Sequence, residues 1–126
     1  MAEPTTHAEL SAFNDGWLDA WTRKDIAAIA AMYTEDCAFM DSATAQGLSG
    51  RAALVGYLER LFPLMPDWRY RSDELWAIPG GFCARWYCDF AGGRSLRGFD
   101  FVQMRGREIA RNEVYTHEIR SGAPLS

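Results

Sequence analysis

The first side chain placed to do chemistry is the carboxyl group of Asp41, which ends the segment Met32–Asp41. This segment begins as the end of a helix and finishes as a short apolar strand. In a strand, Phe39 and Asp41 leave the backbone on the same face, so both point inward if Phe39 enters the core. A carboxylate that faces an apolar interior is a candidate base. The alternative is that Asp41, which precedes Ser42, only caps the following loop.

A second candidate acid, Asp100, lies between Phe99 and Phe101 in an apolar stretch. If those two phenylalanines face the interior, Asp100 points outward and can pair with an arginine. If Val102 and Met104 line the interior instead, Asp100 points inward with them. Strand parity leaves both arrangements open.

Several bulky or polar side chains can border a cavity beside these acids, although each can equally be plain core. They are Trp17, Tyr33, Tyr57, Phe62, Trp86, Val102, Asn112 and Val114. Asn112 shares its strand parity with Val114 and Thr116, so all three can bring atoms to one cavity. His117 has the opposite parity, which favours the rim, the outer sheet face or a dimer contact.

Three helices are predicted in the first half of the chain. Thr6 and Glu9 form a capping box, and an apolar stripe at helical spacing predicts a first helix to about Arg23. Asp25 can cap a second, shorter helix. Its expected inner face is Ile26, Ile29, Ala30 and Tyr33.

Strand one is predicted from Ala38 to Asp41, followed by a polar loop over residues 42–50. Ser49 can cap the third helix, which begins at Arg51 and ends at Pro63 and Pro66. Four longer strands follow, joined by short turns that contain glycine. They are predicted at Trp68–Ile78, Phe82–Phe90, Arg94–Met104 and Glu108–Glu118.

Helices followed by a meander of strands indicate an α+β fold, with one antiparallel sheet curled around the helices. The strand Phe82–Phe90 is apolar on both faces. One face should cover the helices. The other, with Tyr70 or Trp76 adding to it, is predicted to cover a second subunit in a homodimer, unless it is a solvated aromatic face.

The composition of the 126 residues is that of a soluble, single-domain protein. The net charge of −4 argues against nucleic acid as a partner, and no segment is apolar enough to span a membrane. No signal peptide is visible. Cys37, Cys83 and Cys88 are read as free thiols, which predicts a cytoplasmic protein. With two histidines and no phosphate-binding loop, neither a metal nor a cofactor is predicted.

The order of elements and five motifs resemble the nuclear transport factor 2-like superfamily, and most closely its SnoaL-like and ketosteroid-isomerase-like branch. The motifs lie at Trp21–Ile26, Met32–Asp41, Gly50–Leu54, Arg97–Met104 and Ile109–Tyr115, and the resemblance covers about residues 7–119. It implies a single cone-shaped domain over residues 1–126. In that fold a strongly curved, mostly antiparallel sheet wraps three helices and leaves a pocket at its open end.

The resemblance also implies a chemistry. Asp41 matches the carboxylate that moves a proton beside a carbonyl, and Asp100 matches a protonated aspartate that donates a hydrogen bond to the developing oxyanion. The family's tyrosine on helix one falls at Trp17. The implied activity is proton transfer without a cofactor, of the isomerase, cyclase or dehydratase type, on a small apolar carbonyl compound. The alternatives are a module that binds an apolar ligand without turnover and a dimerisation domain.

Overall fold

The computed structural model describes residues 6–119, which form three helices and one six-stranded sheet. The helices are α1 (His7–Thr22), α2 (Ile26–Ala30) and α3 (Arg51–Leu61), and a 3₁₀ turn (Phe62–Leu64) follows α3. The strands are β1 (Tyr33–Met40), β2 (Leu48–Ser49), β3 (Trp68–Ile78), β4 (Gly81–Phe90), β5 (Ser95–Arg105) and β6 (Glu108–Ile119). None of the helices within residues 6–119 is long and apolar enough to cross a membrane. The predicted domain limits at residues 1 and 126 lie outside the described residues.

Two of the three predicted helix caps are confirmed. Thr6 and Glu9 form the capping box of α1, and the Asp25 side chain accepts a hydrogen bond from the backbone N–H of Ala28 at the start of α2. The prediction that Ser49 caps α3 is wrong. Gly50 occupies that position with a φ of 95°, while Ser49 pairs in the sheet with β1. Glycine reaches this φ without the steric cost that other residues meet.

Strand β1 begins earlier than the local pattern predicts. Tyr33 was expected on the inner face of the second helix, but it starts β1 and pairs with Ile109 of β6. The backbone N–H of Ile109 donates to the carbonyl of Met32 over 2.7 Å. The chain leaves the helical conformation after α2 because a distant strand satisfies its backbone, which a local periodicity does not reveal.

The sheet has the strand order β2-β1-β6-β5-β4-β3. Strands β3 to β6 follow one another as antiparallel neighbours, whereas β1 pairs with β6 in parallel. Three helices with one curved, open and mostly antiparallel sheet form the predicted α+β cone, so that prediction is confirmed. Helix α1 packs against β3, and the buried apolar residues lie between the helices and the inner sheet face.

The side chains of strand β4 alternate between the two faces of the sheet. Its buried residues are Phe82, Ala84, Trp86, Cys88 and Phe90, which alternate with half-buried residues. The outer face carries the exposed rings of Trp76, Phe99 and Tyr115. The homodimer through this face stays a prediction, which sedimentation equilibrium would test.

Gly81 should be a far more sensitive position than Gly56. A Cβ at Gly81 would lie 1.9 Å from the backbone oxygen of Val102, so Gly81→Ala should separate β4 from β5 and destabilise the fold by about 1–3 kcal/mol. At Gly56, within α3, the nearest atom to a new Cβ is the flexible Arg60 Nη1 at 3.5 Å. Gly56→Ala should therefore stabilise the protein by about 0.5–1 kcal/mol. Urea denaturation of both variants measures this, and equal stabilities would contradict it.

Candidate functional site

A cavity of about 210 Å³ lies between the helices and the inner face of the sheet. Its walls come from α1, α3, the loop after β1 and strands β3 to β6. Seven of the residues predicted for a site line it: Trp17, Asp41, Tyr57, Trp86, Asp100, Asn112 and Val114. The two candidate acids therefore open into one space.

Asp100 points inward, which is one of the two orientations that strand parity left open. Its side chain lies on the buried face with Val102 and Met104, and the residue is only 3% exposed. Oδ2 accepts a hydrogen bond of 2.6 Å from Trp86 Nε1, and Oδ1 accepts one of 3.3 Å from Asn112 Nδ2. Asn112 Oδ1 in turn accepts a hydrogen bond of 2.9 Å from the Tyr33 hydroxyl. The acid is thus held by a buried polar chain across β4, β5, β6 and β1.

Burial sets the protonation of Asp100. Desolvation raises the pKa of this carboxyl from 3.8 to about 7, although the N–H groups of Asn112 and Trp86 oppose the shift by stabilising the carboxylate. Within residues 6–119 no arginine, lysine or histidine lines the cavity to offset the charge. Asp100 therefore exists in both its protonated and ionised forms near neutral pH.

Asp41 caps the loop after β1 and also lines the cavity. Its Oδ1 accepts hydrogen bonds from the backbone N–H groups of Ala43 and Thr44 and from the Thr44 hydroxyl, at 2.9–3.0 Å, which caps the loop. Its Oδ2 accepts a hydrogen bond of 2.7 Å from the Tyr57 hydroxyl. Burial and then this bond to Asp41 raise the pKa of Tyr57, so its phenol stays protonated. One carboxylate oxygen organises the loop and the other meets a phenol at the cavity wall.

Trp17 stands where the sequence resemblance implies the family's tyrosine on the first helix. It is 2% exposed, and its Nε1 has no partner of standard hydrogen-bond geometry within residues 6–119. Its ring meets the ring of Tyr33 edge-on, with centroids 6.2 Å apart. The indole N–H is near enough to the Tyr33 hydroxyl to lower its pKa, but burial and the charge of Asp100 outweigh it and the pKa is raised. Trp17 thus contributes an apolar wall and bonds to neither acid.

Three residues predicted at the cavity lie behind its wall instead. Val102 is completely buried, and Tyr33 is buried where its hydroxyl supports Asn112. Phe62 packs edge-on against Trp21 and Trp68, with centroids 5.5 and 5.7 Å away, and those two rings cover it. Parity identified the inner face correctly, but not which side chains reach the cavity surface.

His117 lies on the outer sheet face. Its Nε2 is 3.3 Å from Nη1 of Arg97, and both residues border a shallow groove with Phe99 and Tyr115. His117 is remote from the inner cavity because its strand parity is opposite to that of Asn112.

The sequence reading did not assign Trp21, Trp68 or Tyr70 to the cavity. Together with Trp86 they form an aromatic cluster in its wall: the ring centroid of Tyr70 lies 6.1 Å from Trp21, 5.3 Å from Trp68 and 4.9 Å from Trp86. Either Tyr70 or Trp76 was predicted to add to the outer face of the sheet. A register shift between Ser72 and Leu75 reverses the alternation of β3, so Tyr70 faces inward and Trp76 outward.

The remaining lining residues are mostly apolar, and they extend the wall from the helices to the loop after β1. They are Leu18, Phe39, Ser42, Ala43, Leu61, Met65, Leu96 and Thr116. Thr116 was expected there from its parity with Asn112. Phe39 confirms that the end of β1 faces inward, which was the signal used to place Asp41.

The family model of the SnoaL-like domain matches residues 15–112. The chain belongs to the SnoaL-like family. The match spans every element from the middle of α1 to the first half of β6, and it contains both aspartates of the cavity. No curated protein matches the chain by sequence.

Solved structures show the same fold for this SnoaL-like chain. An NTF-2 like protein of unknown function from Burkholderia xenovorans LB400 has a TM-score of 0.74 at 14% identity, covering 91% of this chain and 87% of its own. A SnoaL-like protein of unknown function from Burkholderia thailandensis E264 has a TM-score of 0.70 at 19% identity, covering 93% of this chain and 99% of its own. A hypothetical protein with a ketosteroid isomerase-like fold from Catenulispora acidiphila DSM 44928, in complex with trimethylamine, has a TM-score of 0.70 at 17% identity. The match covers 82% of this chain and 83% of that protein's chain. The predicted superfamily is confirmed.

Burial of Asp100 should make stability depend on pH. Its pKa is about 7 in the folded state against an ordinary 3.8, so its contribution to stability is complete below about pH 4 and is lost as the pH rises through 7. The loss amounts to roughly 4 kcal/mol at most. Asp100→Asn should remove this dependence, because the amide has nearly the shape of the carboxyl group and does not titrate. Urea denaturation at a series of pH values measures it.

The matched control for this experiment is Asp67→Asn, which changes an exposed carboxyl in the same way. It should keep the pH profile of the wild type. If Asp100→Asn and the wild type lose stability in parallel between about pH 4 and pH 7, the carboxyl of Asp100 is not the buried titrating group.

Proposed function

We propose that the cavity binds a small apolar carbonyl compound and moves a proton on the carbon beside the carbonyl group. In this reaction Asp41 is the base and Asp100 is the acid that donates to the carbonyl oxygen. The observation that carries the proposal is the buried Asp100 carboxyl, whose pKa of about 7 keeps a transferable proton at neutral pH. SnoaL-like membership supports a small-molecule pocket and leaves the reaction itself as our inference.

The surroundings of Asp100 suit a proton donor. Its two oxygens are each fixed by one N–H group, from Trp86 and Asn112, so the orientation of the carboxyl is set before a ligand arrives. A preorganised donor in an apolar wall stabilises an enolate oxygen without waiting for solvent to reorganise. The apolar lining also excludes water, which strengthens that interaction.

The surroundings of Asp41 suit a positioned base. The loop donors hold Oδ1, and Oδ2 stays at the cavity wall beside the Tyr57 hydroxyl. After Asp41 takes a proton from the carbon beside the carbonyl, its carboxylic acid can return the proton to that carbon, which gives exchange or inversion. In a conjugated dienolate it can instead return the proton to the γ carbon, which completes an isomerisation. Tyr57 replaces the hydrogen-bonding phenol that related chains carry on the first helix, but it serves the base and not the acid.

Deuterium exchange tests this function without knowledge of the natural substrate. Tetralone, indanone and cyclohexenone would be incubated with the protein in deuterated water, and NMR would follow deuterium at the carbon beside each carbonyl. Exchange of at least one ketone should exceed the protein-free rate. Asp41→Asn and Asp100→Asn should each lower the enzymatic rate by about 100-fold or more. The wild-type rate should fall as the pH rises above about 7, because Asp100 loses the proton it donates.

Asp67→Asn is again the matched control and should exchange like the wild type. Each variant's thermal melt would show that its fold is intact. If both cavity variants keep the wild-type exchange rate, or if no ketone exchanges although one binds, the proton-transfer proposal is overturned.

A second candidate function is binding without turnover. It is favoured by the four hydrogen bonds that already engage the side-chain oxygens of Asp41, and by Trp17, which bonds to neither acid. Recovery of a bound ligand with neither chemical change nor deuterium would select this function. The Catenulispora acidiphila structure is in complex with trimethylamine, so amines belong among the ligands to be screened.

A further inference from the structure

The cavity wall combines many aromatic rings with acidic groups only. It contains four tryptophans, two tyrosines and one phenylalanine, together with the carboxyl groups of Asp41 and Asp100. Within residues 6–119 the wall includes no arginine, lysine or histidine side chain. A pocket built for a neutral hydrocarbon alone needs neither the acids nor so many tryptophans.

We infer that the molecule bound in this cavity carries a positively charged alkylated nitrogen, which lies against the aromatic cluster of Trp21, Trp68, Tyr70 and Trp86. The inference rests on the proposed function in one respect, that the cavity is the ligand site, and it names the class of ligand: an apolar, carbonyl-bearing amine. The face of an aromatic ring is the negative end of its quadrupole, and tryptophan attracts cations most strongly.

The rings of the cluster are inclined to one another and not stacked. The plane of Tyr70 makes angles of 52° with Trp21, 83° with Trp68 and 49° with Trp86. Inclined rings present faces and edges in several directions, which suits a compact tetrahedral group.

Trp86 connects the aromatic cluster to the carboxyl group of Asp100. Its indole N–H bonds to Asp100 over 2.6 Å, so the cluster and the carboxyl are continuous. Within residues 6–119, one protein cation approaches the cluster: Lys24 Nζ lies 5.3 Å from the centroid of the Trp68 ring. It is held by the carbonyl oxygens of Met65 and Pro66 at 2.8 and 3.1 Å, and Lys24 is not part of the cavity wall.

A bound cation should be coupled to the ionisation of Asp100. The titratable groups around this carboxyl are Tyr33 from β1, Asp41 after β1, Tyr57 from α3 and Tyr70 from β3, with Cys83 of β4 on the opposite face of the sheet. Burial raises the pKa of the Tyr33, Tyr57, Tyr70 and Cys83 side chains, so these four stay neutral around pH 7. The ionised form of Asp100 attracts the cation and the protonated form does not. Cation affinity should therefore rise as the pH increases through about 7.

The test compares two probes that differ only in charge. Choline is paired with its carbon analogue, in which a tert-butyl group replaces the trimethylammonium group, and calorimetry measures the affinity of each at pH 6 and pH 8. Choline should bind roughly tenfold more tightly than the analogue at pH 8. Burial of apolar surface alone predicts the reverse order, because water holds the cation more strongly than the neutral group.

Two substitutions at one position separate the ring from the volume it fills. Trp21→Leu removes one of the four aromatic rings and should reduce the preference for choline over the analogue. Trp21→Phe keeps a ring and should retain most of the preference. Trp76→Leu removes an exposed ring on the outer face and should change neither affinity. Asp100→Asn should abolish the increase in choline affinity between pH 6 and pH 8.

The wild-type comparison stands even if a variant fails to fold. Preference for choline that grows with pH supports the inference. Equal or tighter binding of the neutral analogue overturns it, and so does a preference that is unchanged in Trp21→Leu. If neither probe binds but ketones undergo exchange, the cation inference fails while the proposed function survives. If neither binds and no ketone exchanges, both fail.

Discussion

The hydrogen bond from Trp86 to Asp100 is the interaction on which the cavity depends. Trp86 is paired with Gly98 across β4 and β5, and a Cβ at Gly98 would come within 2.2–2.4 Å of the indole ring. Glycine therefore lets the indole lie against β5 and reach the carboxyl two residues further along. The same ring closes one side of the aromatic cluster. A single buried contact thus joins the apolar wall to the group that titrates near neutral pH.

The parallel pairing of β1 with β6 brings the second acid to the same space. Phe39 is opposite Asn112 in this register, and Asp41 follows one residue after the strand ends. Asn112 also bonds to Asp100 and accepts from Tyr33, so it connects β1, β5 and β6 through side chains. The strand that departs from the antiparallel pattern is therefore the one that positions the candidate base. Without it, Asp41 would begin a loop with no fixed relation to the cavity.

Local periodicity was enough to predict the three helices and the four long strands, and it offered the inward orientation of Asp41 as one of two alternatives. It failed where a distant partner decides the conformation. Tyr33 was assigned to a helix because Ile109, its strand partner, is far away in the sequence. The choice between Tyr70 and Trp76 for the outer face was left open because an irregularity in β3 cannot be read from alternation. The aromatic cluster was missed for the same reason, since its rings come from α1, β3 and β4.

The donors around the two acids explain how their tasks differ. Tyr57 directs its hydroxyl to Asp41, whereas Asp100 receives only the N–H groups of Trp86 and Asn112. Asn112 cannot turn its oxygen toward Asp100 without losing the bond from the Tyr33 hydroxyl. Within residues 6–119, a protonated Asp100 thus finds no hydrogen-bond acceptor among its partners. In the proposed reaction, the oxygen of a ligand in the cavity accepts the hydrogen bond from protonated Asp100.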